Sequence, residues 1–209
     1  MPEATVIAVL GAESTGKSTL AMALQQALAA QGRRVARVDE VLREFCATRG
    51  RTPRPHEQAG IAAEQTRRID AAAAGHELVI ADTTALQIAV YSEWVFADRG
   101  LYRAALQAHA RCRHTLLCAL DLPWVADGLQ RDGPQVREPV DTLLRTALQR
   151  HDPGYAVVAG QGPARLAAAL AALQPASRPA PVQADGPRWQ WLCERCGDPD
   201  CERHLLPRL

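Results

Sequence analysis

Residues 5–19 read TVIAVLGAESTGKST, and this stretch decides the fold. Its first six residues are apolar and rich in β-branched side chains, the composition of a buried parallel strand. Gly11 and Gly16-Lys17-Ser18 then fit G-x-x-x-x-G-K-[ST], a phosphate-binding loop, without a mismatch. Beyond it Leu20, Leu24, Ala27 and Leu28 recur at helical spacing until Gly32 supplies a stop. Strand, glycine loop and helix in this order bring backbone N–H groups and a helix N-terminus toward one anion. Gly11, Glu13, Ser14, Thr15, Gly16, Lys17, Ser18 and Thr19 are thus the expected ATP-binding residues. Lys17 is expected to reach the β/γ-phosphates, and the Ser18 hydroxyl to ligate Mg²⁺.

Composition supports the motif. The chain has 24 Lys+Arg residues, of which Lys17 is the only lysine. A sequence that uses arginine everywhere else keeps its one compact ammonium where a phosphate loop needs it.

At 209 residues and 47% hydrophobic, the chain can bury one substantial core and carry a small appendage. A net charge of +1 provides no global field for nucleic acid or an anionic membrane, so neither is an expected partner. No segment approaches the roughly 20 apolar residues of a membrane span. The apolar opening ends at Gly11, too short and wrongly flanked for a signal peptide. Three of the six cysteines fall in the last 17 residues and three are scattered, which reads as a reducing cytoplasm with a metal site.

Five apolar runs are expected strands: 5–10, 34–38, 77–81, 114–120 and 155–159. Helical stretches separate them, closing with 166–173. The fold class is therefore α/β, a five-stranded parallel sheet with helices on both faces, with ligands at the carboxyl ends of the strands. Residues 1–174 form the expected main domain. The Pro/Ala-rich segment 175–188 is a linker, and 189–209 is a separate tail.

Strand ends are where chemistry is expected. Residues 34–38 run into Asp39-Glu40, and 77–81 run into Asp82-Thr83-Thr84. Asp82 fits the second Mg²⁺-associated carboxylate, against the alternative of a helix N-cap. Asp39 and Glu40 fit a catalytic pair, against the alternative of a solvated helix start. After the fourth run comes a segment rich in Gly, Pro and charge. Its Arg131 and Arg137 fit a lid that neutralises charge over the triphosphate, against the alternative of a solvated loop.

The loop GAESTGKST, the segment Glu40-x-x-Arg43-Glu44-Phe45, Asp82-Thr83-Thr84, and Asp121-Leu-Pro-Trp124-x-x-Asp127-Gly128-x-x-Arg131 occur in that order. Together they resemble the ATP-dependent nicotinamide riboside kinase domain of bifunctional NAD-biosynthesis proteins, and its stand-alone relatives labelled AAA-family ATPases. The resemblance spans roughly residues 4–172. It implies a P-loop kinase fold that transfers the ATP γ-phosphate, with Mg²⁺, to the 5′-hydroxyl of a ribonucleoside. Asp39 or Glu40 would orient ribose hydroxyls or take the proton, and Arg43 would meet substrate phosphate or Glu44. Tyr91 and Trp124 are candidates to stack on the base, and Asp82, Thr83 and Asp127 join them on the acceptor side.

Other classes fit less well. A GTPase needs Asn-Lys-x-Asp to read guanine, and the chain has no Asn. A hexameric motor needs a sizeable helical lid domain. A regulatory ATP-binding module with an interaction tail stays as the alternative to a kinase, and a homo-oligomer is compatible with either.

In the tail, Cys193-x-x-Cys196-Gly is followed by Cys201-x-x-His204. Three thiolates and an imidazole suit tetrahedral Zn²⁺ in a closed structural knuckle. A reduced terminus or a Cys193/Cys196 redox pair is the alternative reading.

Overall fold

The structure, a computed structural model, describes residues 4–125, 133–150 and 154–174. Within them β1 (Thr5–Leu10), α1 (Lys17–Ala30), β2 (Val35–Val38), α2 (Val41–Arg49), α3 (Pro55–Ala73), β3 (Leu78–Asp82) and α4 (Ala85–Phe96) come first. Then follow α5 (Tyr102–His109), β4 (His114–Cys118), α6 (Arg137–Arg150), β5 (Ala156–Val158) and α7 (Gly162–Leu173). The strands form one sheet in the order β2-β3-β1-β4-β5, and every pairing is parallel. Each expected strand is present, the first with the expected ends and the other four trimmed or shifted by a residue or two. The edge strands are shortest, because each has a pairing partner on one side only.

The period-2 geometry of a strand sorts β1 between two cores. Ile7 and Val9 pack with Leu20, Leu24 and Leu28 of α1 and with Ala169 of α7. Val6 and Ala8 pack with Ile69 of α3, while Leu10 meets Leu86 and Val90 of α4 and Val140 and Leu144 of α6. β1 is flanked by β3 and β4, so its carboxyl end opens between two strands that diverge in sequence order. That is where a ligand site is expected in an open parallel sheet. No helix among the described residues is long and apolar enough to cross a membrane.

Candidate nucleotide and acceptor site

The phosphate loop is shaped by steric demands at two glycines. Gly11 has φ 152°, and a Cβ there would lie 2.8 Å from Thr15 Oγ1 and 3.0 Å from Cys118 Cβ. Gly16, the N-cap of α1, sits in the left-handed region at φ 76°, and its Cβ would lie 2.9 Å from Leu122 Cδ1. A side chain at Gly11 would clash with the Thr15 and Cys118 side chains and the Cys118 carbonyl, and at Gly16 it would be strained by the left-handed φ.

Inside the loop, Thr15 Oγ1 donates to the Ala12 carbonyl at 2.8 Å, and Lys17 Nζ donates to the same oxygen at 2.9 Å. The ammonium is therefore folded back over the loop. Ser14, itself at φ 53°, donates through Oγ to the Val125 carbonyl at 2.8 Å and accepts from the Val125 N–H at 3.2 Å. This joins the loop to the segment after β4. Ser18 is partly buried in the first turn of α1, and Thr19 is exposed beside it.

Two residues that sequence reasoning did not single out hold the loop from below. Gln87 Oε1 accepts from the Gly11 N–H at 3.2 Å. Arg165 of α7 donates through Nη2 to the Thr15 carbonyl at 2.8 Å, and through Nη1 to the Gly160 carbonyl and Asp121 Oδ1, both at 2.8 Å. Burial opposes ionisation of Asp121, but the Arg165 guanidinium and the Gly160 N–H outweigh it and hold that carboxyl below its ordinary value. A signal existed for both: Gln87 interrupts the apolar run ALQIAV, and Arg165 is the only charged residue of the helix GPARLAAALAAL.

β3 delivers Asp82 to the same end of the sheet, in register with Val9. Its side chain is 3% exposed, and Oδ1 is buried with no hydrogen-bond partner among the described residues. The cap of α4 is Thr84, whose Oγ1 accepts from the Leu86 N–H at 3.3 Å, so Asp82 is not spent on capping. Between them Thr83 has φ 74°, an uncommon conformation for a β-branched residue, held by its N–H bond to the Val9 carbonyl at 3.1 Å. Thr83 Oγ1 is also buried without a partner among the described residues. A buried, unspent carboxylate oxygen beside a phosphate loop is a donor of the hard-oxygen type that Mg²⁺ takes, so the residues present fit that ion.

The acidic pair separates. Asp39 is 68% exposed and pairs with Arg37 at 2.8 Å, away from the loop. Glu40, only 10% exposed, turns inward and lies 3.5 Å from Arg43. Burial raises the Glu40 carboxyl above its ordinary value; Lys17 opposes that shift, Asp82 adds to it and Arg43 opposes it. Glu40 and Arg43 join Glu13, Ser14 and Lys17 along the phosphate-loop side of a cleft of about 180 Å³. Its remaining walls include Leu42, Cys46, Gln58, Tyr91, Val95 and Phe96.

Four expectations change. Asp39 does not face the cleft, for the reason just given. Glu44 is exposed and held by Arg68 of α3, so Arg43 is paired with Glu40 instead. Trp124 is half-buried on the segment after β4 and does not line the cleft, whereas Tyr91 does. Arg137 opens α6, is 9% exposed and donates to the Leu120 carbonyl at 3.2 Å, so it anchors the end of β4 instead of riding on a lid. Asp127, Arg131, the linker 175–188 and the set Cys193, Cys196, Cys201 and His204 lie outside the described residues.

Comparison with known proteins agrees with this fold. A family model described as an AAA domain matches residues 6–165. A structure of NadR protein in complex with NAD and AMP-PNP superposes with a TM-score of 0.64 at 16% identity, covering 81% of this chain and 48% of that one. A NadR structure in complex with NR gives 0.65 at 16% identity, with the same coverage of 81% and 48%. Deoxyadenosine kinase from M. mycoides, with products dCMP and a flexible dCDP bound, gives 0.54 at 14% identity, covering 80% and 96%. The chain thus spans about half the length of the NadR structures it matches. No curated protein matches the sequence. From the phosphate loop at the end of β1 to Arg165 beneath it, the chain belongs to the AAA domain family and has a NadR-like P-loop kinase fold.

Proposed function

We propose that the protein is an ATP-dependent small-molecule kinase that transfers the γ-phosphate to the 5′-hydroxyl of a nucleoside, with nicotinamide riboside or a related ribonucleoside as acceptor. One observation carries this reading: a single cleft joins the phosphate loop at Lys17 to a buried carboxylate, Glu40, and then to walls with Tyr91 and Phe96. A switch or motor domain has no need of aromatic and apolar walls in the cleft that holds its phosphate loop.

In this reading the backbone N–H groups of the loop and Lys17 hold the triphosphate, and Lys17 exchanges the Ala12 carbonyl for phosphate oxygens. Glu40 accepts the proton of the acceptor hydroxyl as its oxygen bonds to the γ-phosphorus and the bond to the β–γ bridging oxygen breaks. The products are ADP and a nucleoside 5′-phosphate. Glu40's place in the cleft and its raised pKa suit it to that role, whereas Asp39 does not line the cleft. Most of the rate comes from positioning and charge neutralisation, because phosphoryl transfer needs little help from a base. Ser18 and Asp82 would hold Mg²⁺, directly or through water, and the ion would supply charge neutralisation for the transferred phosphoryl group. We assign the Cys193, Cys196, Cys201 and His204 set to structural Zn²⁺ on its donor chemistry.

The test is ATP consumption with Mg²⁺ over a panel of nucleosides including nicotinamide riboside, with the phosphorylated product identified by mass. Acceptor-dependent ADP release with a nucleoside 5′-phosphate is expected. Tight ATP binding with no acceptor-dependent turnover anywhere in the panel would favour the regulatory module.

A further inference from the structure

Among the described residues, Gln58, Gln65 and Gln87 are buried glutamines, and they differ in how their carbonyls are used. Gln65 Oε1 accepts from the Val41 N–H at 2.8 Å, and Gln87 Oε1 accepts from the Gly11 N–H. Gln58 is 4% exposed, yet its Oε1 is buried with no hydrogen-bond partner among the described residues. It is also the one of the three that lines the cleft. An unmade hydrogen bond at a buried acceptor is unfavourable, and a ligand N–H is the simplest remedy.

We infer that Gln58 determines acceptor specificity by accepting a hydrogen bond from a neutral, amide-type N–H on the acceptor's planar ring, a carboxamide or a lactam edge. This rests on the kinase reading above. The surroundings fit such a ring: Tyr91 and Phe96 offer aromatic faces and Leu42 and Val95 apolar ones, while the cleft's cations Lys17 and Arg43 lie on its phosphate-loop side, Arg43 already paired with Glu40. The position is also rigid. Glu57, the preceding residue, takes both prongs of Arg51 at 2.7 Å and accepts from the Arg54 N–H at 2.7 Å, which fixes the first turn of α3. A ring bearing a carboxylate in place of the amide offers no donor to the Gln58 carbonyl. Sites built around one hydrogen bond reject analogues that cannot make it.

The experiment compares nicotinamide riboside, uridine and nicotinic acid riboside as acceptors for the full chain, before and after Gln58→Leu. The wild type is expected to favour the two amide-bearing acceptors over the carboxylate by at least tenfold in kcat/KM. Gln58→Leu should lose at least tenfold on those two, chiefly in KM, with the ATP KM unchanged and the preference over the carboxylate reduced to within about threefold. Melting curves check the fold, and Gln58→Met, closer in shape, carries the same test if the leucine variant does not fold. An unchanged kcat/KM in the variant, or an equal loss on all three acceptors, overturns the inference. If the wild type transfers phosphate to none of these three, the wider nucleoside panel decides the kinase reading, and calorimetric riboside binding to protein loaded with a non-hydrolysable ATP analogue decides about Gln58. Binding of the amide-bearing ribosides that weakens tenfold in the variant upholds it. Binding that does not change, or no binding at all, refutes it.

Discussion

Lys17 and Glu40 line one cleft with opposite chemistry, and each carries its own prediction. Lys17→Ala removes an ammonium whose hydrogen bond here is to the Ala12 carbonyl of the same loop, so the fold should survive while turnover is abolished. Retained ATP turnover in a variant with normal melting would refute the phosphate-loop reading. For Glu40 the sign follows from burial, which raises its folded pKa above 4.5. A carboxyl with a raised folded pKa binds its proton more tightly in the folded state, so its unfavourable contribution to stability is present at neutral pH and relieved on acidification. In catalysis the direction is opposite: the base is lost as pH falls through that raised pKa. The kcat/KM for the acceptor should therefore show an acidic limb in the wild type. Glu40→Gln should lower the rate by about 10² and remove the limb. A limb that persists in Glu40→Gln would assign the proton to another group. Sequence alone left Asp39 and Glu40 equivalent, because β2 is an edge strand whose burial pattern does not alternate, so neither acid was marked as inward.

At the scale of elements, the connection between α2 and α3 is the part of the site least visible in the sequence. Its clamp brings Arg51 and Glu57 together across a turn, while Phe45 of α2 lies 5.5 Å from the Arg51 guanidinium. The Arg51 guanidinium and the Arg54 N–H lower the Glu57 carboxyl to about 2. A carboxylate whose folded pKa is depressed contributes stability above its unfolded pKa and loses it as pH falls through the folded value. The contribution of this clamp should thus fade between about pH 4.5 and about pH 2. Melting temperature against pH should drop through that window in the wild type and be flatter in Glu57→Gln; identical profiles would show that the clamp adds nothing. The five strands and the first helix were legible because buried parallel strands and a glycine loop leave strong local marks in composition. Arg137 and Gln58 were not, since an arginine that anchors a strand end and one that rides a lid look alike in sequence. A glutamine's empty carbonyl depends on which distant helices meet around it.

For the whole molecule, β1 lies at the centre of the sheet order and the loop it delivers is held by α4 through Gln87 and by α7 through Arg165. The proposed zinc set adds a test at this scale. Protein purified without chelator should hold about one Zn²⁺ per chain, and the metal should leave on acidification because its thiolates must be deprotonated. ATP affinity should largely survive its removal; zinc-free protein as purified, with the tail thiols freely reactive, would refute the assignment. The lone lysine has a consequence of a different kind. Across 209 residues the only ε-amine sits in the phosphate loop. Any acyl donor that modifies a lysine of this chain must therefore land on the triphosphate grip and silence it. An amine-reactive dye, once the α-amino group is accounted for, becomes a one-position gauge of whether the nucleotide seat is taken.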